Sequence, residues 1–184
     1  VTHGATMVLP SEAFDAQKVL EVVEKEECTA LHGVPTMFIA ELNHPDFSKY
    51  DLSSLRTGIM AGAPCPVEVM KKVIDLMGAK EITIAYGMTE TSPVSLQTSV
   101  DDPIDKRVST VGRAIPHVEI KIIDPSTGQT VPHGVAGEIC VRGYLVMLGY
   151  WDDPEATREV IDQARWIHTG DIGVMHPDGY VNIV

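Results

Sequence analysis

The segment Glu81-Ile82-Thr83-Ile84-Ala85-Tyr86-Gly87-Met88-Thr89-Glu90 carries a strand pattern that runs directly into a polar turn. Its first half, Glu81 to Ala85, is predicted to be a β-strand because it is a short and largely apolar run. The turn that follows contains Gly87, and a glycine lets the backbone approach a ligand closely. Ligands of open α/β sheets bind at the carboxyl ends of strands, so this turn is a candidate binding segment.

Upstream of this segment, strand patterns alternate with helical patterns. Helices are predicted where apolar residues recur at helical spacing among charges, and Asp15, Pro35 and Pro66 suit their first turns. The predicted helices cover Phe14 to Glu27, Pro35 to about Asn43 and Pro66 to Gly78, and the strand-like runs cover Ala5 to Leu9, Thr29 to Val34 and Leu55 to Met60. This alternation predicts an α/β fold with a helix-covered, mostly parallel sheet.

The pattern changes after about Ser99, where Val100 to Arg107 is polar and rich in turn residues. Beyond it, strand patterns separated by hairpin-type turns dominate, and one helix is predicted from about Pro154 to Gln163. The predicted strands are His117 to Ile123, Ala136 to Arg142 and Gly179 to Val184. We therefore predict an α/β subdomain over residues 1–100 and a small, mostly antiparallel, barrel-like β subdomain over residues 101–184.

The composition is that of a soluble globular protein, with 44% hydrophobic and 22% charged residues and no apolar stretch long enough to span a membrane. The formal net charge of −12 argues against nucleic acid or an anionic membrane as the main partner, because both require a basic surface. Cys28, Cys65 and Cys140 lie far apart and form no Cys-x-x-Cys pair, which predicts reduced thiols and argues against a zinc site.

Three residues of the turn after the predicted strand have side chains suited to binding a nucleotide. Tyr86 offers a flat face for a purine, Thr89 a hydroxyl for a phosphate oxygen, and Glu90 a carboxylate for Mg²⁺. The alternative is an ordinary strand-to-loop turn with a surface glutamate, since short motifs also occur by chance.

Two further segments are candidates for the same kind of ligand. Small residues of the Gly58 to Pro64 stretch leave room for a flat ring, although close packing of helix against strand is the better explanation of this stretch taken alone. In Trp166-Ile167-His168-Thr169-Gly170-Asp171, the Asp171 carboxylate follows a glycine turn and suits a ribose diol. The alternative for Asp171 is a turn or cap residue. No hydrolase motif, Walker A sequence or Gly-x-Gly-x-x-Gly loop is present.

Gly137 to Gly143 is predicted to be structural. Glu138 and Arg142 carry opposite charges on the same side of this predicted strand, and we expect them to take part in an ion-pair or hydrogen-bond network. Cys140 alternates within the same strand, and a small buried apolar side chain is its expected role.

Taken in this order and spacing, the motifs resemble those of the adenylate-forming (AMP-binding) superfamily. Within it the chain is most similar to fatty acyl-CoA synthetases, in particular to the branch of acyl-CoA synthetase family member 2. The resemblance runs from Gly4 to Val184. It is carried by Gly137 to Gly143, Trp166 to Asp171 and the stretches Val34 to Phe38, Ala85 to Val94 and Val146 to Trp151.

The resemblance implies the roles of the candidate residues. Thr89 and Glu90 are the catalytic positions, with Thr89 on the phosphates and Glu90 on Mg²⁺, while Asp171 accepts hydrogen bonds from both ribose hydroxyls. The implied nucleotide-binding set is Gly62, Ala63, Pro64, Ala85, Tyr86, Gly87, Thr89 and Asp171, and the implied acyl pocket is lined by Met37, Met60, Gly87 and Met88. Ala61 departs from the family's commoner glycine at the start of the Gly-Ala-Pro turn.

The resemblance also implies the substrates and what lies outside the chain. ATP and CoA are the implied co-substrates, Mg²⁺ the implied metal and a fatty acid the implied acyl donor. The family's phosphate loop would precede Val1, and its hinge and lysine-bearing C-terminal domain would follow Val184. The net charge of −12 repels ATP, so the isolated chain is expected to be inactive without those cationic groups.

Two alternatives to the acyl-CoA synthetase hypothesis remain open. One is another adenylate-forming reaction, either amino-acid adenylation or a luciferase-like oxidation, and a substrate screen separates it. The other is a non-catalytic scaffold module, which the intact Thr89, Glu90 and Asp171 disfavour. A cytoplasmic location is the default, and the resemblance suggests mitochondria as the alternative. The sequence leaves acyl chain length and oligomeric state open.

Overall fold

The structure is a computed structural model that describes residues 3–184. Its internal contacts divide the chain into two compact units, the first ending at Ile82 and the second running over Thr83–Val184. The predicted subdomain boundary at residue 100 stays a prediction. Within the described residues, no helix has the length and apolar character that crossing a membrane requires.

The first unit alternates helices with parallel strands. Its elements are α1 (Ala16–Lys25), β1 (Ala30–Gly33), α2 (Pro35–Leu42), a 3-10 turn (Phe47–Lys49), β2 (Thr57–Ala61), α3 (Val67–Leu76) and the start of β3 (Glu81–Tyr86). β1 and β2 pair in parallel, with Ala30 opposite Thr57 and Gly33 opposite Met60. The backbone N–H of Glu81 donates to the carbonyl of Arg56 at 2.7 Å, which places β3 beside β2 at this point.

The helices of this unit begin where local chemistry satisfies their first amides. The Asp15 carboxylate accepts the backbone N–H of Lys18 at 3.2 Å and caps α1, and Pro35 begins α2, where no amide hydrogen is needed. α1 buries Leu20 and Val23, and α3 buries Met70. The three predicted helices are confirmed. The observed start of α2 coincides with the predicted one, and the other ends lie one or two residues inside the predicted ones.

The apolar run Ala5 to Leu9 was predicted to be strand-like, and this is wrong. These residues form neither helix nor strand, and Met7 and Leu9 are 69% and 77% exposed. A strand is stable only when its backbone groups pair with a neighbouring strand. An apolar pattern without such a partner does not form one.

Helix α2 buries a carboxylate that the sequence did not single out. Glu41 is 1% exposed, and its Oε2 atom has no hydrogen-bond partner among the described residues. Burial raises the pKa of this carboxyl from 4.5 to about 8, because the charged form loses its hydration. Glu41 is therefore largely protonated at neutral pH, and ionising it opposes folding.

We predict that Glu41→Gln changes the pH dependence of stability. The folded pKa of about 8 lies above the unfolded value near 4.5, so the stabilisation is complete below about pH 4.5 and is lost as the pH rises towards 8. At pH 8.5 the variant should be more stable than the unsubstituted protein by at least about 2 kcal/mol, and the difference should fall to about 1 kcal/mol or less near pH 5.

Urea unfolding measured from pH 5 to pH 9 checks this. Glu12→Gln removes an exposed carboxylate from the same unit and serves as the control, which should leave the slope of stability against pH unchanged. Parallel pH curves for the Glu41→Gln variant and the unsubstituted protein would contradict the interpretation of Glu41.

The second unit contains antiparallel strands throughout. β3 pairs with β4 (Leu96–Gln97), and β4 pairs with β5 (Arg113–Ala114), both antiparallel. A second sheet consists of β6 (Val118–Ile123), β7 (Ala136–Gly143), β8 (Ile167–Met175) and β9 (Val181–Ile183) in that order, with every neighbouring pair antiparallel. Two short helices lie between strands, α4 (Ile104–Ser109) and α5 (Pro154–Val160).

The predicted fold class is confirmed. A helix-covered parallel strand arrangement is followed by an antiparallel β region, and the predicted strands correspond to β6, β7 and β9. The sequence did not predict α4, which lies in the turn-rich segment, nor β8, whose alternation is interrupted by Gly170 and Gly173.

The core of the second unit lies against the four-stranded sheet. Ile139 and Val141 of β7 pack with Ile167 of β8 and Val181 of β9, and all four are fully buried. This shared core is closely packed, and it therefore fixes the position of β7 relative to β8 and the register in which they pair.

Gly112 and Gly128 are two glycines of this unit at which we predict different costs of substitution by alanine. Both have positive φ angles, +85° and +70°. A Cβ at Gly112 would collide with the backbone of Gln97, whereas a Cβ at Gly128 would have no atom of residues 3–184 within 4 Å. Gly128→Ala should cost about 1 kcal/mol for the left-handed conformation alone. Gly112→Ala should cost more than about 2 kcal/mol because β4 must also shift. Urea unfolding of both variants measures the difference, and equal costs would contradict the close approach.

Candidate functional site

Strand β3 leads directly to Tyr86, a predicted site residue, and the fold brings it to Asp171. Ala85 is buried and pairs with Gln97, and Tyr86 is half-buried at the end of the strand. The Tyr86 hydroxyl donates to Oδ2 of Asp171 at 2.7 Å. Burial, with the neighbouring Asp171 adding to it, raises the pKa of Tyr86 above its ordinary value. Tyr86 therefore stays a neutral hydrogen-bond donor over the physiological range.

The turn after Tyr86 requires glycine for a steric reason. A Cβ at Gly87 would collide with the carbonyl of Pro93, because the returning chain passes directly over it. The backbone N–H of Ser95 donates to the carbonyl of Tyr86 at 2.8 Å and holds the two segments together. Gly87 is nevertheless exposed to solvent.

Thr89 to Thr91 form one turn of 3-10 helix that presents the next two predicted residues. The buried Thr91 Oγ1 atom accepts the backbone N–H of Met88 at 3.1 Å and fixes the turn. Thr89 is consequently exposed, and Glu90 is half-buried.

Glu90 is held by a segment that the sequence did not associate with it. The Tyr150 hydroxyl donates to Oε1 of Glu90 at 2.9 Å, and the backbone N–H of Met147 donates to the Glu90 carbonyl at 2.9 Å. The hydrogen bond from the Tyr150 hydroxyl to Glu90 also raises the pKa of Tyr150. A carboxylate with one oxygen fixed and an exposed hydroxyl next to it is a set of hard oxygen donors, which fits Mg²⁺ bound through a carboxylate and substrate phosphates.

Asp171 lies on a bulge of β8, and the strand register shows its size. Cys140 pairs with His168, and Glu138 pairs with Ile172. The two pairs are separated by two residues along β7 and by four along β8, so β8 contains two extra residues here. The residues between them leave the ladder, and Asp171 is exposed on the bulge. A bulge of this kind re-aims a side chain at the cost of ladder hydrogen bonds.

The carboxylate of Glu138 replaces those lost bonds. Its Oε1 atom accepts the backbone N–H of Gly170 at 3.0 Å, and its Oε2 atom lies 3.0 Å from Nδ1 of His168. The Thr169 hydroxyl adds a bond to the carbonyl of Ile139 at 2.8 Å and accepts the backbone N–H of Asp171 at 3.1 Å. These four contacts fix the bulge and, with it, the backbone of Asp171.

Sequence reasoning assigned Glu138 to a structural network without connecting it to Asp171. Glu138 and Arg142 do enter structural contacts, but separate ones, because four residues along a strand span about 13 Å. Arg142 pairs instead with Glu119, directly opposite on β6, through bonds of 2.9 and 2.6 Å. The spacing of Glu138 and Arg142 gave no sign of these partners, which lie on neighbouring strands.

The first unit contains the other predicted site residues. Gly62, Ala63 and Pro64 form an exposed turn directly after β2, and a Cβ at Gly62 would lie 3.2 Å from Cγ1 of Val34. Met60 is fully buried in β2, and Met37 is half-buried beside Gly33. Met88, in the second unit, is half-buried. The nucleotide and acyl-pocket roles of all these residues stay predictions.

We predict that Glu138 stabilises the bulge. Glu138→Ala leaves the Gly170 amide and the His168 ring without their partner and should lower the free energy of unfolding by about 1–3 kcal/mol. Glu138→Gln keeps an acceptor for the Gly170 amide and should lose less. Urea unfolding measures both, and Glu159→Gln, which removes an exposed carboxylate from α5, is the control with unchanged stability. Equal stability of the alanine variant and the unsubstituted protein would contradict this role.

Residues 1–151 match the family described as AMP-binding enzyme. The chain belongs to this family. The Tyr86 to Glu90 turn lies within the matched residues, and the bulge that carries Asp171 lies beyond them. The predicted membership of the AMP-binding superfamily is confirmed.

Curated relatives extend the AMP-binding match over the whole chain. The acyl-CoA synthetase YngI of Bacillus subtilis is 60% identical over 183 residues, which cover 100% of this chain and 33% of YngI. The mitochondrial medium-chain acyl-CoA ligase ACSF2 of Danio rerio is 48% identical over 181 residues, covering 98% of this chain and 30% of that protein. The predicted resemblance to the branch of acyl-CoA synthetase family member 2 is confirmed. The chain spans about a third of the length of these relatives.

Solved structures of AMP-binding enzymes share the fold. The anthranilate CoA ligase AuaEII, solved in complex with anthranoyl-AMP, matches with a TM-score of 0.83 and 30% identity, covering 91% of this chain and 31% of that one. The arrangement of parallel strands followed by an antiparallel sheet is therefore that of adenylate-forming enzymes.

Proposed function

We propose that this chain is part of an ATP-dependent fatty acyl-CoA synthetase. The observation that carries the proposal is the 2.7 Å hydrogen bond from Tyr86 to Asp171, which unites two predicted nucleoside-binding residues that lie 85 positions apart. It is supported by membership of the AMP-binding family and by similarity to acyl-CoA synthetases and ligases. The activity belongs to the whole protein, of which this chain corresponds to about a third in the relatives.

The nucleoside is proposed to bind at the end of β3. Asp171, held on its bulge, accepts hydrogen bonds from the ribose hydroxyls, and Tyr86 offers its ring to adenine. Tyr86 also limits the rotation of the Asp171 carboxylate through their mutual bond. The further nucleotide contacts that we propose are Gly62, Ala63, Pro64, Ala85, Gly87 and Thr89, and the proposed acyl pocket includes Met37, Met60, Gly87 and Met88.

The proposed reaction has two steps. A carboxylate oxygen of the fatty acid attacks the α-phosphorus of ATP, the bond to the bridging oxygen breaks, and pyrophosphate leaves with that electron pair. The sulfur of CoA then attacks the acyl carbon, its proton passes to solvent, and AMP leaves. The chain's residues bind and orient the reactants, and no covalent enzyme intermediate is needed.

Thr89 and Glu90 are proposed to act on the phosphates. The exposed Thr89 hydroxyl donates to a phosphate oxygen, and Glu90 would hold Mg²⁺, which supplies charge neutralisation when bound. Tyr150 keeps the Glu90 carboxylate in one orientation. With a net charge of −12, the chain by itself offers little attraction to ATP, and this supports the proposal that the isolated 184-residue chain does not turn over.

The proposed partners are small molecules, namely a fatty acid, ATP and CoA. A cytoplasmic location is proposed, with mitochondria as the alternative, since ACSF2 is described as mitochondrial and YngI comes from a bacterium.

We predict that Asp171→Ala weakens ATP binding in the full-length protein. Loss of charge-assisted bonds to the ribose should raise the KM for ATP about 10- to 100-fold and leave the KM for the acid nearly unchanged. Pyrophosphate release is measured with carboxylic acids of increasing chain length, with and without CoA. Glu159→Gln removes an exposed carboxylate from α5 and is the control with unchanged kinetics.

The outcomes of this assay separate the hypotheses. Release that depends on fatty acids and turns over with CoA supports the ligase, whereas release with amino acids alone indicates a different adenylate-forming reaction. Absence of release with every acid favours a non-catalytic module. An unchanged KM for ATP in the Asp171→Ala variant would remove the ribose role of Asp171 even if the protein is a ligase.

A further inference from the structure

Glu138 and Cys140 on β7 and His168 on β8 bring three metal-binding atom types together beneath the Asp171 bulge. Glu138 and Cys140 are two residues apart and share one face of β7, and Cys140 pairs directly with His168. The Nδ1 atom of His168 lies 3.7 Å from Sγ of Cys140 and 3.0 Å from Oε2 of Glu138. The three donor atoms all lie within 4.8 Å of one another.

Two of the three separations are close to those around a tetrahedral zinc ion. Bonds of about 2.3 Å to sulfur and about 2.0 Å to nitrogen or oxygen, at tetrahedral angles, place the donor atoms about 3.3–3.6 Å apart. The observed separations of 3.7 and 3.0 Å differ from these by a few tenths of an ångström. The Glu138 carboxylate lies within 4.8 Å of the Cys140 sulfur, so it must rotate towards the thiol when a cation binds.

Hydrogen bonding alone does not satisfy all three side chains of this cluster. Nδ1 of His168 carries either one hydrogen or one lone pair, yet both the thiol and the carboxylate are directed at it. The carboxylate is the nearer of the two, and the fully buried Cys140 thiol is left with a long, weak contact. A cation at the centre engages all three groups at once.

We propose that Glu138, Cys140 and His168 form a binding site for a zinc-class divalent ion. One sulfur, one nitrogen and one oxygen donor favour Zn²⁺ over Mg²⁺ or Ca²⁺, which prefer oxygen ligands only. On binding, the thiol proton passes to solvent, the neutral imidazole coordinates through Nδ1, and a water takes the fourth position. The site is distinct from Glu90, where a hard oxygen donor suits Mg²⁺.

The surroundings of the cluster support the proposal. Oε1 of Glu138 accepts the Gly170 amide at 3.0 Å, which orients the carboxylate in the manner of the outer hydrogen bonds around metal ligands. The strand pairing fixes Cys140 opposite His168 without requiring any loop to close. Cys140 and His168 are 28 residues apart in sequence and meet only through strand pairing, so the prediction against a zinc site, made from cysteine spacing, did not consider this cluster.

The experiment is metal binding to the full-length protein in the absence of ATP, so that its outcome does not depend on the ligase reaction. Metal-free protein is dialysed against Zn²⁺, and Co²⁺ is used as a spectroscopic substitute that reports thiolate ligation by a charge-transfer band. We expect one tightly bound Zn²⁺ per chain. Cys140→Ser and His168→Ala should weaken binding at least tenfold, and Glu138→Gln should weaken it less.

Two matched variants control for non-specific binding. Cys65→Ser removes another free thiol, and His133→Gln removes an exposed imidazole from a hairpin turn, and both should bind Zn²⁺ as the unsubstituted protein does. Thermal unfolding checks that each variant is folded. If Cys140→Ser does not fold, the cobalt spectrum of the unsubstituted protein still tests whether a thiolate binds the metal. Absence of stoichiometric Zn²⁺, absence of a cobalt–thiolate band, or equal affinity in folded Cys140→Ser and His168→Ala variants would overturn the proposal.

Discussion

The hydrogen bonds of Glu138 to the β8 bulge are the interaction on which the functional part of the second unit depends. A strand that gains two residues relative to its neighbour loses ladder bonds, and the free amide at Gly170 must find another acceptor. Glu138 supplies it from the adjacent strand, with Thr169 securing the other side. The bulge then projects Asp171 out of the sheet, where a regular strand would keep it in the ladder.

Once the bulge is fixed, Tyr86 and Asp171 constrain each other. The phenol is a permanent donor because burial raises its pKa, and the carboxylate is thereby held in one orientation before any ligand arrives. Tyr150 does the same for Glu90 from a different segment. Each proposed ligand-binding carboxylate is thus paired with a tyrosine hydroxyl, which reduces the conformational entropy that ligand binding would otherwise cost.

The same stretch of β7 and β8 supports both the proposed ribose contact and the proposed metal site. Glu138 uses one oxygen for the bulge and presents the other to His168 and Cys140. A cation held there would neutralise Glu138 and tie the two strands together through side chains. The two roles are compatible because the Gly170 amide keeps Oε1, while a cation between Oε2 and His168 would replace their direct contact.

The sequence by itself determined the α/β class, the three helices of the first unit, strands β6, β7 and β9 of the second, and the family, because periodicity, capping residues and ordered motifs are local properties. The Ala5 to Leu9 run was predicted as a strand but has no neighbouring strand to pair with within residues 3–184. Helix α4 was missed because its six residues show no clear helical periodicity. Only the tertiary structure joined Tyr86 to Asp171, Tyr150 to Glu90 and Glu138 to the bulge. Those contacts depend on strand register, which the shared core of the sheet sets.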